Sequence, residues 1–259
     1  MHDLPALKRG DFVQCATWRA TRLIPGALSQ FVVVPVESVR HDTLRVPAAL
    51  SDEAATLVEP LATVVKSVRR SGVRGGDSVL VIGLGAMGMM HMLVARERGA
   101  GVVLGADRVS SRLREAARFG ASSAIDVGAG PLGDQVRAAT DGEGADIVFV
   151  TPASRDALAS GASCLAPGGC LVVFTPLGPD EPWPLNVNDL FFKDARVVMT
   201  YSAGPDDTRE ALRLLSSGLA VEGLFTHRFG LDQAAAAYAM LKKPETALKV
   251  LVYPQRSSV

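Results

Sequence analysis

Hydrophobic runs alternate with stretches of helical period along most of the chain. From Ser78 onward, short runs rich in Val and Ile are separated by longer stretches rich in Ala, Leu and Arg. The short runs are continuously apolar, which is typical of parallel strands covered by helices on both faces. Strands are predicted at residues 78–82, 102–106, 124–126, 146–150, 170–175 and 196–200. Helices are predicted at residues 87–98, 110–119, 132–140 and 155–165. The pattern predicts an α/β fold with a doubly wound, six-stranded parallel sheet.

The two ends of the chain do not show this alternation. Residues 1–50 contain four prolines and two strand-like runs, at residues 12–15 and 31–34, so we expect an all-β or mixed unit there. Ser51, Asp52 and Glu53 form a helix-start signal, with acidic groups where the helix dipole favours them, and predict a helix over residues 51–70. Helices at 206–217 and 231–241 and a strand at 247–253, which could return to the N-terminal unit, are also predicted.

The charge balance changes the picture of possible partners. The chain has 27 Lys and Arg against 27 Asp and Glu, so its formal net charge is zero. Nucleic-acid binders and polybasic membrane-surface proteins need a positive surplus to meet phosphate charge. We therefore expect neither a nucleic-acid nor a membrane partner, and a small uncharged molecule is the better first hypothesis.

Localisation is predicted from three features of the sequence. Three scattered cysteines are too few for a disulfide framework, which favours a reducing cytoplasm. Residues 78–95 carry no charge, but the glycines within this window indicate a strand, a turn and a helix rather than a membrane span. Residues 1–5 show no basic segment followed by an apolar core, so no targeting peptide is predicted.

A glycine pattern suggests where a ligand binds. Gly83, Gly85 and Gly88 match G-x-G-x-x-G, directly after a predicted strand and at the start of a predicted helix. In this setting Gly83 permits a tight turn, Gly85 lets the main chain approach a pyrophosphate, and Gly88 lets the helix pack closely on the strand. The N–H groups at the helix start, near Ala86 and Met87, would bind phosphate oxygens. The alternative is a turn whose glycines serve packing only.

An acidic residue lies at the expected distance from this motif. Asp107 ends the second predicted strand, 19 positions after Gly88. A carboxylate there accepts hydrogen bonds from adenosine ribose hydroxyls and repels a 2′-phosphate, so NAD is expected as the cofactor and NADP is disfavoured. Arg108 and Arg112 favour the opposite choice, because an arginine beside the ribose can hold a 2′-phosphate. The alternatives are a helix N-cap for Asp107 and a solvated helix face for the arginines.

Topology predicts the place of the nicotinamide. Ligands of doubly wound sheets lie beyond the C-terminal ends of the strands, at the point where the strand order reverses. Candidate contacts there are Thr151 and Pro152 after the fourth strand, Thr175, Pro176 and Leu177 after the fifth, and Tyr201 and Ser202 after the sixth.

Several segments together resemble the medium-chain dehydrogenase/reductase family, and within it the zinc-type alcohol dehydrogenases similar to sorbitol and threonine dehydrogenases. The segments are Ser-Asp-Glu-Ala-Ala at 51–55, Glu-Pro-Leu-Ala at 59–62, the run at 73–81 leading into the glycine motif, Arg-Leu at 112–113 with Gly-Ala at 120–121, Gly-Ala-Asp at 144–146, Pro-Gly-Gly at 167–169, Thr-His-Arg-Phe at 226–229 and Ala-Leu-Lys at 247–249. The resemblance spans roughly residues 28–253.

The resemblance implies an incomplete catalytic domain. It implies a Rossmann cofactor domain at residues 59–200, with residues 1–58 and 201–259 as a small, β-rich, GroES-like remnant of the catalytic domain. The family's cysteine and Gly-His-Glu zinc ligands have no match here, and Glu59 is at most a relic ligand. We therefore expect no zinc in this chain. The resemblance also implies a homodimer that pairs through residues 196–200.

The leading functional hypothesis is an NAD-dependent alcohol dehydrogenase that moves a hydride between a secondary alcohol or ketone and nicotinamide. Without a metal, the candidate proton-transfer groups are Glu59, His41 and Tyr201. A second hypothesis is a non-catalytic NAD-binding subunit, or a fragment of a split dehydrogenase. A third, a methyltransferase, is disfavoured by the family-like C-terminal return. The sequence does not identify the substrate.

Overall fold

A computed structural model describes residue 10 and residues 12–255. Predictions that fall on residues 1–9, 11 and 256–259, including the absence of a targeting peptide, lie outside the described residues. In chain order the helices are α1 (Ala16–Ala20), α2 (Val36–His41), α3 (Asp52–Ala55), α4 (Val58–Ser71), α5 (Ala86–Glu97), α6 (Ser110–Glu115), α7 (Leu132–Ala138), α8 (Arg155–Ser163), α9 (Val187–Phe192), α10 (Pro205–Ser216) and α11 (Ala234–Met240). The strands are β1 (Ser78–Ile82), β2 (Val102–Asp107), β3 (Ser123–Asp126), β4 (Ala145–Val150), β5 (Leu165–Val173), β6 (Arg196–Met199), β7 (Phe225–Gly230) and β8 (Lys249–Tyr253).

The chain divides into two compact units. The sheet unit comprises Thr63–Tyr201, and the flanking unit comprises the residues up to Ala62 together with those from Ser202 onward. Helix α4 crosses the boundary between them, because Glu59 and Lys66 lie on the same helix but in different units.

The sheet unit contains six parallel strands in the order β3-β2-β1-β4-β5-β6. This is the Rossmann order, with the reversal between β1 and β4, so the predicted fold class is confirmed. The four helices predicted between the strands are also present. Helix α5 lies one residue earlier than predicted, and α7 and α8 each end two residues early. Helix α6 ends four residues early, at Glu115, where a 3₁₀ turn over Ala116–Phe119 continues the chain. Strand β5 begins at Leu165, five residues earlier than predicted, because the Pro-Gly-Gly segment continues the strand through an irregular pairing with β4.

The core of this unit explains why the strands are apolar throughout. Leu80, Leu104, Val148 and Leu171 lie on neighbouring strands and are almost completely buried. Burial of apolar side chains on both faces of the sheet is the main stabilising contribution for such a layer. The uncharged window at residues 78–95 forms β1, a turn and α5, as predicted, and no helix of the described chain is long and apolar enough to span a bilayer.

The flanking unit contains one small parallel sheet, formed by β7 and β8. Ser51 caps α3 by accepting a hydrogen bond from the Ala54 N–H, so the predicted helix start is confirmed. Glu53 on α3 accepts two hydrogen bonds from the Arg228 guanidinium, at 2.6 and 2.7 Å, and one from the Tyr253 hydroxyl. These bonds tie the sheet to the helix.

Two strand predictions in this unit are wrong. Residues 12–15 contain a short 3₁₀ turn, Phe12–Gln14, followed by helix α1. Residues 31–34 form a single antiparallel bridge, between Val33 and Ile24, instead of a strand. The β-branched residues there fit a strand locally, but no neighbouring strand pairs with them in the described chain. The described part of this unit therefore has less β-structure than predicted, and its strand β7 and helix α2 were not predicted. Helix α9, in the sheet unit, was not predicted either.

Candidate functional site

The turn between β1 and α5 is as tight as the glycine pattern predicted. Gly83 has a φ of 89°, in the left-handed region that favours glycine, and its N–H donates to the Ala106 carbonyl oxygen at 2.8 Å. A Cβ atom at position 88 would lie 1.9 Å from the Gly83 carbonyl oxygen. Gly83 and Gly88 therefore allow the start of helix α5 to lie against the end of β1.

The start of helix α5 is open on one side. Gly85 is the N-cap, and a Cβ atom placed there would meet no atom within 4 Å. Gly85, Ala86 and Met87 are each partly exposed. The first N–H groups of a helix have no acceptor within the helix, and a 12-residue helix adds a partial positive charge at this end. This combination forms a cradle for an anion.

Asp107 lies beside the cradle, at the end of β2. One carboxylate oxygen accepts from the Leu84 N–H at 2.6 Å and lies 3.5 Å from Arg112 Nη1. The other oxygen accepts from the N–H groups of Arg108 and Val109, at 2.7 and 2.9 Å. Only 6% of the Asp107 side chain is exposed, and its carboxylate accepts three main-chain hydrogen bonds and forms one ion pair. The carboxylate thus holds the turn after β1 and the turn after β2, a role that the sequence did not predict.

The arginines beside Asp107 differ in position. The Arg108 side chain is exposed, whereas Arg112 is half-buried beside the carboxylate. Thus only Arg112 is directed towards the acidic group.

Thr151 and Thr175 fasten the ends of β1, β4 and β5 to one another. The Thr151 hydroxyl lies 2.8 Å from the Gly83 carbonyl oxygen and 3.0 Å from that of Ile82. The Thr175 hydroxyl donates to the Thr151 carbonyl oxygen at 2.7 Å. A Cβ atom on Gly83 would clash with Thr151 and with Pro152, which packs over the turn. The residues predicted after β4 therefore lie at the glycine turn.

The other predicted contacts lie where β5 and β6 end. Pro176 is exposed, and Leu177 packs against the core of the sheet unit. Tyr201 has 58% of its surface exposed, and Ser202 follows with a φ of 51°. The main-chain oxygen of Tyr201 accepts a hydrogen bond from Lys66 Nζ at 2.7 Å. Lys66 was not singled out from the sequence, although a lone lysine within the apolar run of α4 was a detectable signal.

His91 is a structural residue. It is fully buried on α5, where Nδ1 donates to the Met87 carbonyl oxygen at 2.8 Å and Nε2 accepts from the Ser67 hydroxyl at 3.0 Å. Its ring also packs against Phe149 and Phe174. Burial lowers the pKa of His91 to about 4, so the ring is neutral at pH 7.

The described residues do not fit a catalytic zinc ion. Zinc in such sites needs three protein ligands, and no group of three His, Cys, Asp or Glu residues that could hold a metal ion occurs in the described chain. Glu59 is exposed in the first turn of α4, and His41 is exposed in the last turn of α2. Burial raises the pKa of Cys164 to about 11 and also raises that of Cys170, which disfavours the thiolate form.

Two buried polar atoms support a dinucleotide at this edge of the sheet. Among the described residues, Nε of Arg112 and Oγ1 of Thr200 are the buried side-chain atoms without a hydrogen-bond partner. Arg112 follows β2 and Thr200 follows β6, so each lies beyond the C-terminal end of a strand. Buried polar groups are normally hydrogen-bonded, so an unpaired one is a candidate ligand contact. The glycine cradle and these atoms fit an extended ligand carrying phosphate and other polar groups.

The fold and cradle define a dinucleotide-binding domain of the Rossmann type. Residues 86–217, about half of the chain, match the family described as zinc-binding dehydrogenase. The protein therefore belongs to the zinc-binding dehydrogenase family, and the predicted resemblance is confirmed.

Individual relatives agree with this assignment. A protein of Mycobacterium tuberculosis named as a probable zinc-binding alcohol dehydrogenase is 31% identical over 219 residues, which cover 84% of this chain and 55% of that protein. Sorbitol dehydrogenase of Bacillus subtilis is 28% identical over 97% of this chain and 70% of its own length. A zinc-binding dehydrogenase-type structure from Sinorhizobium meliloti, bound to NADP, has a TM-score of 0.84 at 25% identity and covers 98% of this chain and 74% of that one. The chain thus spans about half the length of the first of these relatives.

Proposed function

We propose that this chain binds a nicotinamide dinucleotide and belongs to an oxidoreductase of the alcohol dehydrogenase type. The observation that carries the proposal is the open start of helix α5, where Gly85 leaves room for a pyrophosphate beside the first N–H groups, which have no acceptor within a helix. Gly83 is required by its left-handed φ and by the side chains of Thr151 and Pro152, and Gly88 by the Gly83 carbonyl oxygen, whereas Gly85 has no such constraint. Ligand access is the remaining reason for glycine at position 85.

NAD is the proposed cofactor in preference to NADP. The Asp107 carboxylate lies at the end of β2, where its negative charge disfavours a 2′-phosphate. Arg112 lies 3.5 Å from this carboxylate and partly offsets its charge, and its buried Nε has no partner in the described chain. The proposed preference for NAD over NADP is therefore modest. The Sinorhizobium relative is bound to NADP, which is a property of that protein.

Calorimetric titration with NADH, NADPH and S-adenosylmethionine tests this proposal. We expect NADH to bind, NADPH to bind more weakly, and S-adenosylmethionine not to bind. Binding of S-adenosylmethionine alone would refute the dehydrogenase hypothesis in favour of a methyltransferase. Equal binding of NADH and NADPH would leave the dinucleotide site standing and remove the assigned role of Asp107 in selectivity.

The proposed reaction is hydride transfer between a secondary alcohol or ketone and the nicotinamide, whose ring supplies the hydride chemistry. The chain's own part is to orient the cofactor through the glycine turn, Asp107, and the ends of β4, β5 and β6. Tyr201, His41 and Glu59 remain the candidates for moving the alcohol proton, since all three side chains are exposed. Incubation with secondary alcohols and NAD, followed at 340 nm, tests turnover, and the three single variants identify the group.

A second candidate function is that of an NAD-binding subunit or a part of a divided dehydrogenase, in which further polypeptide completes the catalytic domain. We propose that the flanking unit, near residues 1–58 and 201–259, is the remnant of that domain. The supporting observation is a large exposed apolar segment between Leu23 and Val36, in which Phe31 is 83% exposed. Such patches mark surfaces that another chain or segment covers.

Two measurements separate these candidates. The alcohol assay on the purified chain is expected to show turnover for the first candidate, and NADH binding without turnover for the second. The DNA upstream of the Met1 codon is the other observation, since a reading frame encoding Cys and Gly-His-Glu would support the divided enzyme.

We also propose a cytoplasmic location and a homodimer paired through β6, an edge strand of the six-stranded sheet.

A further inference from the structure

Lys66 is the buried cation of the sheet unit that the proposed chemistry has not used. It lies on α4 and only 7% of its surface is exposed. Lysine is almost never this deeply buried unless its ammonium group is bound, because removing the charge from water is costly. Nζ donates to the main-chain carbonyl oxygen of Tyr201 at 2.7 Å, across 135 positions of sequence. The buried ammonium group thus binds a peptide group just beyond β6.

The segment that Lys66 holds is unusual in two further ways. Thr200, directly before Tyr201, has a buried hydroxyl without a partner in the described chain. Directly after Tyr201, Ser202 has a φ of 51°, a left-handed conformation that is uncommon for residues other than glycine. Strained conformations and unpaired buried polar groups persist where surrounding contacts impose them, and both concentrate at ligand sites.

The position of this segment indicates which part of a ligand it faces. A Rossmann sheet consists of two mononucleotide-binding halves, and β4, β5 and β6 form the half opposite the glycine turn. Thr200 and Tyr201 lie beyond the C-terminal end of β6, the edge at which ligands of such sheets bind. The nicotinamide carboxamide, which carries a donor and an acceptor, is the group of the dinucleotide that needs polar partners there.

We propose that Lys66 is a positioning residue for the nicotinamide half of the cofactor, holding the main chain at Tyr201 so that Thr200 presents its hydroxyl to the carboxamide. This inference rests on the proposed dinucleotide function. Lys66 does not touch the reacting atoms. Its role is to fix the conformation of a segment that would otherwise have to be ordered when the cofactor binds.

The test compares two ligands that differ in the nicotinamide group, which is the group proposed to contact Thr200. NADH carries the nicotinamide, whereas ADP-ribose keeps the adenosine and the pyrophosphate and lacks it. For the Lys66→Met variant we expect the Kd for NADH to rise about tenfold and the Kd for ADP-ribose to stay unchanged. Lys193→Met is the matched control, because Lys193 lies just before the N-terminal end of β6, away from Thr200 at the other end of the strand. This variant should change neither Kd.

A second variant keeps the inference testable if Lys66→Met fails to fold. Thr200→Val removes a hydroxyl that makes no internal hydrogen bond in the described chain, so the fold should persist and the Kd for NADH should rise several-fold. Equal weakening of both ligands by Lys66→Met, or NADH binding unchanged in both variants, would overturn the inference while leaving the proposed function intact. Failure of the parent chain to bind either ligand would overturn both.

Discussion

Replacing Gly85 and Gly88 separately by alanine distinguishes ligand access from packing at the glycine turn. A methyl group at position 88 would lie 1.9 Å from the Gly83 carbonyl oxygen and 3.0 Å from its carbon. Carbon atoms do not approach closer than about 3 Å, so the turn would have to move by about 1 Å. Forcing such a shift on a close-packed element costs about 1–3 kcal/mol. Gly88→Ala should therefore lose stability and, because the turn has moved, also NADH affinity.

Gly85→Ala is the matched variant with the opposite expectation for stability. Its φ of −69° is accessible to alanine, and the added methyl group would meet no protein atom within 4 Å. The free energy of unfolding should stay within about 0.5 kcal/mol of the parent. Affinity for NADH should nevertheless fall at least about tenfold, because the methyl group occupies the space proposed for the pyrophosphate.

Urea unfolding and fluorescence titration with NADH measure the two quantities on the same samples. If Gly85→Ala binds NADH as tightly as the parent, the cradle at α5 is not the phosphate site and the reasoning fails. If Gly88→Ala is as stable as the parent, the explanation of Gly88 by packing is wrong. Loss of affinity in both variants with loss of stability in one of them is the expected result.

Three further predictions concern other residues. Asp107→Asn replaces a carboxylate that accepts three main-chain hydrogen bonds by an amide with one oxygen. Urea unfolding should show that the free energy of unfolding falls by about 1–3 kcal/mol, and NADPH should bind more tightly relative to NADH. Unchanged stability would contradict the assigned contacts. The pKa of His91 is lowered from 6.5 to about 4 in the fold, so the unfolded chain binds a proton that the folded chain does not. Stability should therefore fall, by up to about 3 kcal/mol, as the pH drops from about 6.5 to 4. A His91→Gln variant should lack this component in urea unfolding, and the same dependence of stability on pH in the parent and the variant would refute it. Met199→Lys places a charge on the edge strand β6, where Met199 is 58% exposed. The variant should be a monomer where the parent chain is the proposed dimer, as measured by light scattering. A dimeric variant would exclude pairing through this strand.

The sheet unit was predictable because its physical signals are local. Strands β1, β2 and β4 are short apolar runs that directly follow Asp77, Gly101 and Gly144, and the glycine motif carries its own geometric requirements at Gly83 and Gly88. The flanking unit was less predictable, because the run at residues 31–34 has strand-like residues and no partner strand in the described chain. Pairing depends on residues distant in sequence, which a local pattern does not report.

The sequence predicted where the candidate site residues lie along the strands more completely than it predicted the contacts that they make. Spacing placed Asp107 at the end of β2, but only the three-dimensional structure shows its oxygens held by Leu84, Arg108 and Val109. Lys66 was missed for a similar reason, since its acceptor is a main-chain oxygen 135 positions away. Hydrogen bonds to the main chain leave no residue-type signature at the acceptor position.

The anchoring of two turns by the single carboxylate of Asp107 has a consequence for the rate of association. The two turns that follow β1 and β2 acquire their shape while the chain folds, so a ligand that binds between them, as proposed, does not have to wait for them to rearrange. Capture between these turns should then proceed at a rate set by diffusion and orientation, and differences in affinity among variants outside these turns should reside in how quickly the complex dissociates.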